Sequence, residues 1–523
     1  MVRAQSGIEA LIRARASENP DETWLKWRGS ETSWRESLSN IQRAANGLLE
    51  LGVEPGDRVA IMMANRPEFL WVHFAAGFIG AYSVPVNISQ RGTTLAHILA
   101  DSGATAVVYQ GDLSDVIGAA RSSVPGLRLG VVVDGAPAPG GADWDIDRLL
   151  SGADREPDVE VAEAPSGAAI MYTSGTTGPP KGVVPRAGRD AGSVVSVLLD
   201  ATGVREGDTI YTALPLFHGN ALGVSTVGSI VRNAKLALAP RFSASRFWEE
   251  CRDTGAVETN TLGGMISILL KQPPRASDRE HGVRAVLSAG CPPERWREFE
   301  QRFGVEIVEW YGMVDSPGFL LNHGGPVGSM GRPVTGIEFR VVDDEDDDVA
   351  PGEVGELVFR HPEGQLTEYN NLPDATATAY RDGWFHSGDL ASVDADGWFW
   401  FKGRKKESMR RLGENISAWE IENVVNAHPG VVESAAHAVR SDLGEDEVKI
   451  VVVPAAGSDL RPEQIVDFCV GRMAHYAVPR YVELVDEIPK TATQRVRYAE
   501  LKAAGITEGT WDRIAAGHAV ERR

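Results

Sequence analysis

Along the first part of this chain, apolar residues recur alternately at helical and at strand periods. Trp34, Leu38, Ile41, Ala45 and Leu48 are spaced by four and three residues, which sets them on one stripe of a helix predicted to end near Leu51-Gly52. The next stretch turns at Gly56-Asp57 and enters a short apolar run, Val59 to Met63, as a strand buried on both faces requires. A second helix is predicted over 68–80. ATAVVYQ (104–110) and LGVVVDG (129–135) read as two further strands with a helix between them. This alternation predicts a wound α/β architecture.

The pattern breaks at three places. Residues 135–158 are rich in Pro, Gly and acids and are expected to form an exposed loop. The acidic run Asp343 to Asp348 lies between the strand-like IEFRVVD and the turn APGEVGE. It reads as the solvated tip of a hairpin, with a cation site as the alternative. After GWFWFKGRKKES the pattern changes again, and ISAWEIENVVNAHPGV opens a smaller α+β unit. No internal repeat is evident. The boundary is therefore placed between a large domain, 1–405, and a small one, 406–523.

Composition narrows the function. With 523 residues, 43% hydrophobic and 24% charged, the chain is that of a folded globular protein, not a disordered, collagenous or coiled-coil one. Fifty-two basic against 73 acidic residues leave a net charge of -21, which repels nucleic-acid backbones and anionic membranes but permits a small phosphate site. Cys251, Cys291 and Cys469 are too widely spaced for a disulfide framework or a cysteine-rich metal site, which fits a reducing compartment. The first residues, MVRAQSGIEALIRARASENPDE, lack an apolar signal region, and no stretch approaches ~18 uninterrupted apolar residues. A cytoplasmic protein with neither nucleic-acid nor membrane partners is expected. Oligomeric state is not legible.

The chemistry concentrates in Met171-Tyr172-Thr173-Ser174-Gly175-Thr176-Thr177-Gly178-Pro179-Pro180-Lys181-Gly182, which follows a short apolar strand. Glycines and small hydroxyl residues free backbone N–H groups to face an anion, and Lys181 adds charge, so the segment reads as a triphosphate cradle. It is not a Walker A loop, because Pro180 precedes the lysine and Gly182 follows it, and it contains no G-x-G-x-x-G.

On these residues the chain resembles the adenylate-forming superfamily of acyl-CoA synthetases, luciferases and peptide-synthetase adenylation domains, over nearly its whole length. PLFHGNA (215–221) and RRLGENISAWEIE (410–422) look most like the carnitine/crotonobetaine-CoA ligase type. The resemblance implies a large N-terminal domain and a small mobile C-terminal one, with ATP and an acid giving an adenylate and pyrophosphate. Coenzyme A is the usual acceptor and Mg²⁺ the metal.

Carried over residue by residue, the resemblance implies that Ala289, Gly290 and Cys291 line one side of adenine and that Tyr311 stacks on the base, with Gly312, Met313 and Val314 following. A flat purine suits small residues on one face and an aromatic on the other. Cys291 reads as a small buried filler, a reactive thiol being the alternative. Asp389, in FHSGDL, would accept both ribose hydroxyls, Arg404 would also hold the nucleotide, and Lys406 would be the hinge of the small domain. His218 would border the acid pocket, a core histidine held by backbone groups being the alternative, and Thr261 to Met265 would form another wall.

Three departures stand out. Where the family carries Tyr-Gly-x-Thr-Glu, this chain has Tyr311-Gly312-Met313-Val314-Asp315. Val314 thus lacks the hydroxyl that meets the α-phosphate, and Asp315 keeps a metal-binding carboxylate one methylene shorter. Where the family has its adenylation lysine, this chain has Arg495, which keeps the charge in a bulkier planar group. KGVVPRAGRDAG lacks a histidine that many relatives carry. The leading expectation is an AMP-forming acyl-CoA ligase. Two rivals are a diazotase that adenylates nitrite for transfer to an aromatic amine in secondary metabolism, and a nucleotide-binding protein without turnover.

Overall fold

The computed structural model describes residues 7–140, 143–159, 169–173, 179–186, 191–316, 318–334, 336–404, 409–411, 414–416, 418–440, 445–455, 457–489, 496 and 498–520. The chain divides into two compact units. One comprises residues 1–88, 99–172 and 182–403, the other residues 89–98, 173–181 and 404–523.

The first unit is built as its hydrophobic pattern predicts. The helix Trp34–Glu50 starts in a capping box, in which the Glu36 backbone N–H donates to the Ser33 hydroxyl and the Glu36 carboxylate accepts the Ser33 backbone N–H. It buries Trp34, Ile41, Ala45 and Leu48. The apolar run becomes the strand Arg58–Met62, the next helix is Pro67–Phe78, and the two further strands are Ala106–Gln110 and Leu129–Val133, with the helix Ser114–Arg121 between them. With Tyr82–Pro85 and Trp144–Asp145 these strands form a five-stranded parallel sheet.

That last strand corrects the expectation of a simple loop over 135–158. Trp144-Asp145 pairs with Val131-Val132, and the one-turn helix Ile146–Leu149 follows with Leu149 fully buried. The two elements together are six residues long, too short to show a period against the surrounding Pro, Gly and acids. The acidic run is the expected hairpin tip. It joins the antiparallel strands Glu338–Val342 and Gly355–Arg360, and its Asp348 and Asp346 pair with Arg340 and Arg381.

A nine-stranded sheet carries the site. Its middle holds four parallel strands: β1 (Thr209–Thr212), β2 (Glu258–Leu262), β3 (Ala285–Ala289) and β4 (Glu306–Tyr311). They are almost wholly buried between helices, as parallel strands must be. A separate antiparallel sheet contributes the long strand Trp384–Val393.

The second unit holds a four-stranded sheet, in the order Val431–Arg440, Asp446–Pro454, Tyr481–Leu484, Thr510–Asp512, covered by helices that include Ala418–Asn426 and Pro462–Cys469. Its core gathers Ile421, Val425, Ile450, Val466 and Val482. The protein is thus mixed α/β with a smaller α+β part. Among the described residues, no helix is long and apolar enough to cross a membrane.

Candidate active site

Parallel strands in register bring their carboxyl ends to one edge of the sheet, where open α/β folds bind ligands. In β2 and β3 Leu262 faces Ala289, and in β3 and β4 Ser288 faces Glu309. The segments leaving these ends are the ones that carry the sequence signals: 213–219 after β1, Gly263-Gly264 after β2, Gly290 to Pro293 after β3 and Gly312 to Asp315 after β4.

The turn at Gly290 takes φ +79, a left-handed conformation that favours glycine. It packs so tightly that a side chain at Gly263 would collide with the Gly290 carbonyl. Glu309 holds it. This carboxylate, 5% exposed, accepts the backbone N–H of Gly290 and, at 3.2 Å to each of its oxygens, that of Cys291. Charge-assisted bonds to two successive N–H groups fix the backbone of Ala289, Gly290 and Cys291. The Cys291 thiol is buried, in keeping with a filler.

Tyr311 and Asp389 lie 78 residues apart in sequence, and here they touch. The Tyr311 hydroxyl donates to Asp389 Oδ2 at 2.8 Å, and Asp389 is 3% exposed. The approach to Asp389 is shaped by Gly388, at φ +71, whose N–H donates to Glu356 Oε1 at 3.1 Å, and by Ser387, whose hydroxyl accepts the Asp389 N–H at 3.0 Å. A buried carboxylate held this way is a strong acceptor for hydroxyl donors. The Tyr311 ring itself packs against the cluster of Leu320, Met330, Val341 and Phe399.

Asp315 is oriented by Tyr369, whose hydroxyl donates to Asp315 Oδ1 at 2.8 Å, while the Thr367 hydroxyl donates to the Asp315 carbonyl. Burial, and then the charge of Asp315, push the pKa of Tyr369 far above the ordinary tyrosine value, so it remains a neutral donor. Tyr369 sits on a strand that pairs with Val183 to Pro185, the strand opened by Lys181. Met171–Thr173 neighbours that strand in the same sheet.

His218 is half-buried, its ring 4.9 Å from Phe217, and its backbone N–H donates to the Pro215 carbonyl at 3.0 Å. Directly after it the chain makes a π-helix, Asn220–Thr226, a form that recurs at functional sites. Gly219 faces Val314: a Cβ there would lie 2.9 Å from Val314 Cγ2. The two segments expected to border acid and α-phosphate are therefore in contact.

Ser174, Gly175, Thr176, Thr177 and Gly178 of the phosphate cradle, the hinge Lys406 and Arg495 lie outside the described residues, and Arg404 is described only as the backbone end of the strand Phe399–Arg404. Glu309, Tyr369 and Gly219 are the residues that sequence reasoning missed.

The family model described as AMP-binding enzyme matches residues 12–369, and that of the AMP-binding enzyme C-terminal domain matches 420–495. The chain is an adenylate-forming enzyme of the acyl-CoA synthetase group. This adenylate-forming enzyme is 32% identical over 504 residues to a feruloyl-CoA synthase from an Amycolatopsis species, covering 95% of this chain and 98% of that protein. It is 29% identical over 488 residues to the crotonobetaine/carnitine-CoA ligase of Salmonella typhimurium, covering 90% and 93%. Among solved structures, a fatty acyl CoA synthetase of Mycobacterium tuberculosis matches at 28% identity and TM-score 0.67, covering 95% and 98%. The o-succinylbenzoate CoA synthetase of Bacillus subtilis shares the fold at TM-score 0.81 and 23% identity, covering 94% and 98%.

Proposed function

We propose that this enzyme activates a small organic acid with ATP as an acyl-adenylate and then transfers the acyl group to coenzyme A. The observation that carries this reading is the Tyr311–Asp389 pair at the carboxyl edge of the sheet, beside the turn that Glu309 holds. It provides a buried carboxylate for the ribose, an aromatic face for the base and a small-residue wall opposite.

In the first step an oxygen of the acid attacks the α-phosphorus, the bond to the β-phosphate breaks and pyrophosphate leaves. Positioning and charge neutralisation are what such a reaction asks of a protein. Thr173 to Lys181 would hold the β- and γ-phosphates, His218 would border the acid, and Arg495 would neutralise charge between the acid and the α-phosphate. In the second step the thiol sulfur attacks the acyl carbon, the bond to AMP breaks and AMP leaves with the electron pair. A turn of the small domain about Lys406 would exchange one arrangement for the other.

Mg²⁺ fits the donors present. One carboxylate, Asp315, held in orientation by Tyr369, matches an ion that takes one or two carboxylates and fills its remaining positions with phosphate and water oxygens. When bound there it would neutralise phosphate charge.

The test is pyrophosphate release with a panel of carboxylates, followed by mass analysis for the coenzyme A thioester. Release with at least one carboxylate and formation of its thioester are expected. Release only with nitrite, with consumption of an aminoarene, would overturn the reading in favour of a diazotase. No release with any acid would leave a nucleotide-binding protein.

A further inference from the structure

We infer that the acid this enzyme activates carries an oxygen acceptor remote from its reacting carboxylate, and that the side-chain amide of Asn220 recognises it; this rests on the ligase reading above. Three side chains form a directed relay. The Ser225 hydroxyl donates to Asn260 Oδ1 at 2.8 Å, and Asn260 Nδ2 donates to Asn220 Oδ1 at 2.9 Å. Ser225 is 1% exposed and Asn260 is fully buried.

Each link orients the next. With its oxygen taken by the hydroxyl, Asn260 presents its amino group to Asn220, and with its own oxygen taken Asn220 is left presenting Nδ2. That nitrogen is buried and has no hydrogen-bond partner among the described residues. A buried side-chain donor without an acceptor is uncommon and costs stability.

Its place in the fold points to the substrate. Asn220 follows Gly219, which is packed on Val314, and it opens the π-helix directly after His218. Asn260 stands two residues before the end of β2, at the same sheet edge as Gly263 and the 290 turn. The buried hydroxyls of Thr261 and Ser288 also lack partners, but successive residues of a strand point to opposite faces. Thr261 and its cross-strand partner Ser288 therefore belong to the face away from Asn260. Glu258 shares the face of Asn260 but stands at the amino end of β2, so at the carboxyl edge, among the described residues, Asn220 presents the unpartnered donor on that face, two residues after His218. An acid with a carbonyl, ether or hydroxyl oxygen at that point satisfies it, whereas an alkyl or plain aryl acid leaves it unpaired.

The experiment compares kcat/KM for matched acids, measured by pyrophosphate release: 4-oxopentanoate against pentanoate, and 4-acetylbenzoate against 4-ethylbenzoate. A preference of about tenfold or more for the oxygenated member of at least one pair is expected. In N220L and N260L that ratio should fall to about one, and in N220D, whose carboxylate only accepts, below one. Because the readout is a ratio within each variant, a general loss of activity cancels. Ratios near one for both pairs in the native enzyme, or a ratio retained in N220L, would overturn the inference and leave the ligase reading standing. No release with any acid would remove both.

Discussion

Removing a single oxygen in Tyr311→Phe separates two roles that sit on one hydrogen bond. The hydroxyl donates at 2.8 Å to a carboxylate that is 3% exposed, and bonds to charged groups contribute about 1.5–3 kcal/mol. The nucleotide-free variant should therefore melt several degrees below the native enzyme. If Asp389 takes the ribose hydroxyls, those donors reach the same carboxylate in the complex and offset part of the loss. Thermodynamic closure then requires that the variant bind AMP no more weakly than the native enzyme, since the ring proposed to stack on the base is unchanged. Asp389→Ala should behave in the opposite way. It removes the acceptor, and with two charge-assisted bonds lost the affinity should fall at least a hundredfold by the same ~1.5–3 kcal/mol per bond. Thermal melts with and without AMP, together with calorimetric titration of AMP, read both quantities. Equal losses of AMP affinity in the two variants would refute the argument, because the Tyr311 hydroxyl would then be contacting the nucleotide itself.

Three further outcomes follow from the same geometry. Gly219→Ala places a Cβ 2.9 Å from Val314 Cγ2 and should slow adenylation through overpacking of about 1–3 kcal/mol, with Val314→Ala in the same chain restoring most of the rate in a pyrophosphate-exchange assay. Glu258 is fully buried and burial pushes its carboxyl up to about 8, so between its ordinary range near 4.5 and about 8 the folded chain holds a proton that the unfolded chain lacks. Stability should fall as pH rises through that window, by up to a few kcal/mol, and Glu258→Gln should abolish the slope; parallel melting curves for the two proteins between pH 5 and 8 would contradict this. Arg495→Ala should slow formation of the adenylate far more than thioester formation from supplied adenylate, read by single-turnover assays of each half-reaction, and equal losses would refute the role proposed for it.

What was legible in the sequence was local or came with a motif. The period of Trp34 to Leu48 gave its helix, and the run Val59 to Met63 gave its strand, because each element carries its own burial pattern. Tyr311 and Asp389 were found through the motifs around them, but that they are bonded to one another across 78 residues is a property of the fold. The same holds for Glu309, which no motif in the sequence marks. Only the alignment of β3 with β4 shows that it faces Ser288 and reaches the N–H groups of the next turn. Tyr369 lies 54 residues from Asp315 and Asn260 lies 40 from Asn220, and no period connects residues that far apart. Trp144 to Leu149 failed for the opposite reason: the elements are so short that neighbouring composition hid them.

The departures at Val314 and Arg495 need a common physical account, since the proposed roles of both concern the α-phosphate. Valine has the shape of threonine without its hydroxyl, and against Gly219 the space is tight enough that even one added carbon would have to displace it. Position 314 thus keeps the shape of threonine without offering a hydroxyl donor. A single oxyanion donor contributes about 3–4 kcal/mol to such a barrier. A hydroxyl provides that through a short, directional bond, whereas a cation acts over a longer range and tolerates more variation in geometry. Replacing a lysine by arginine at the proposed second position keeps the charge and adds a fork of donors that can bind two oxygens at once. Asp315, meanwhile, is held in place by a tyrosine that stays neutral. With the proposed roles, the work at the α-phosphate would pass from a fixed hydroxyl to charge, and recognition of the acid would fall to the groups on the other side of Gly219.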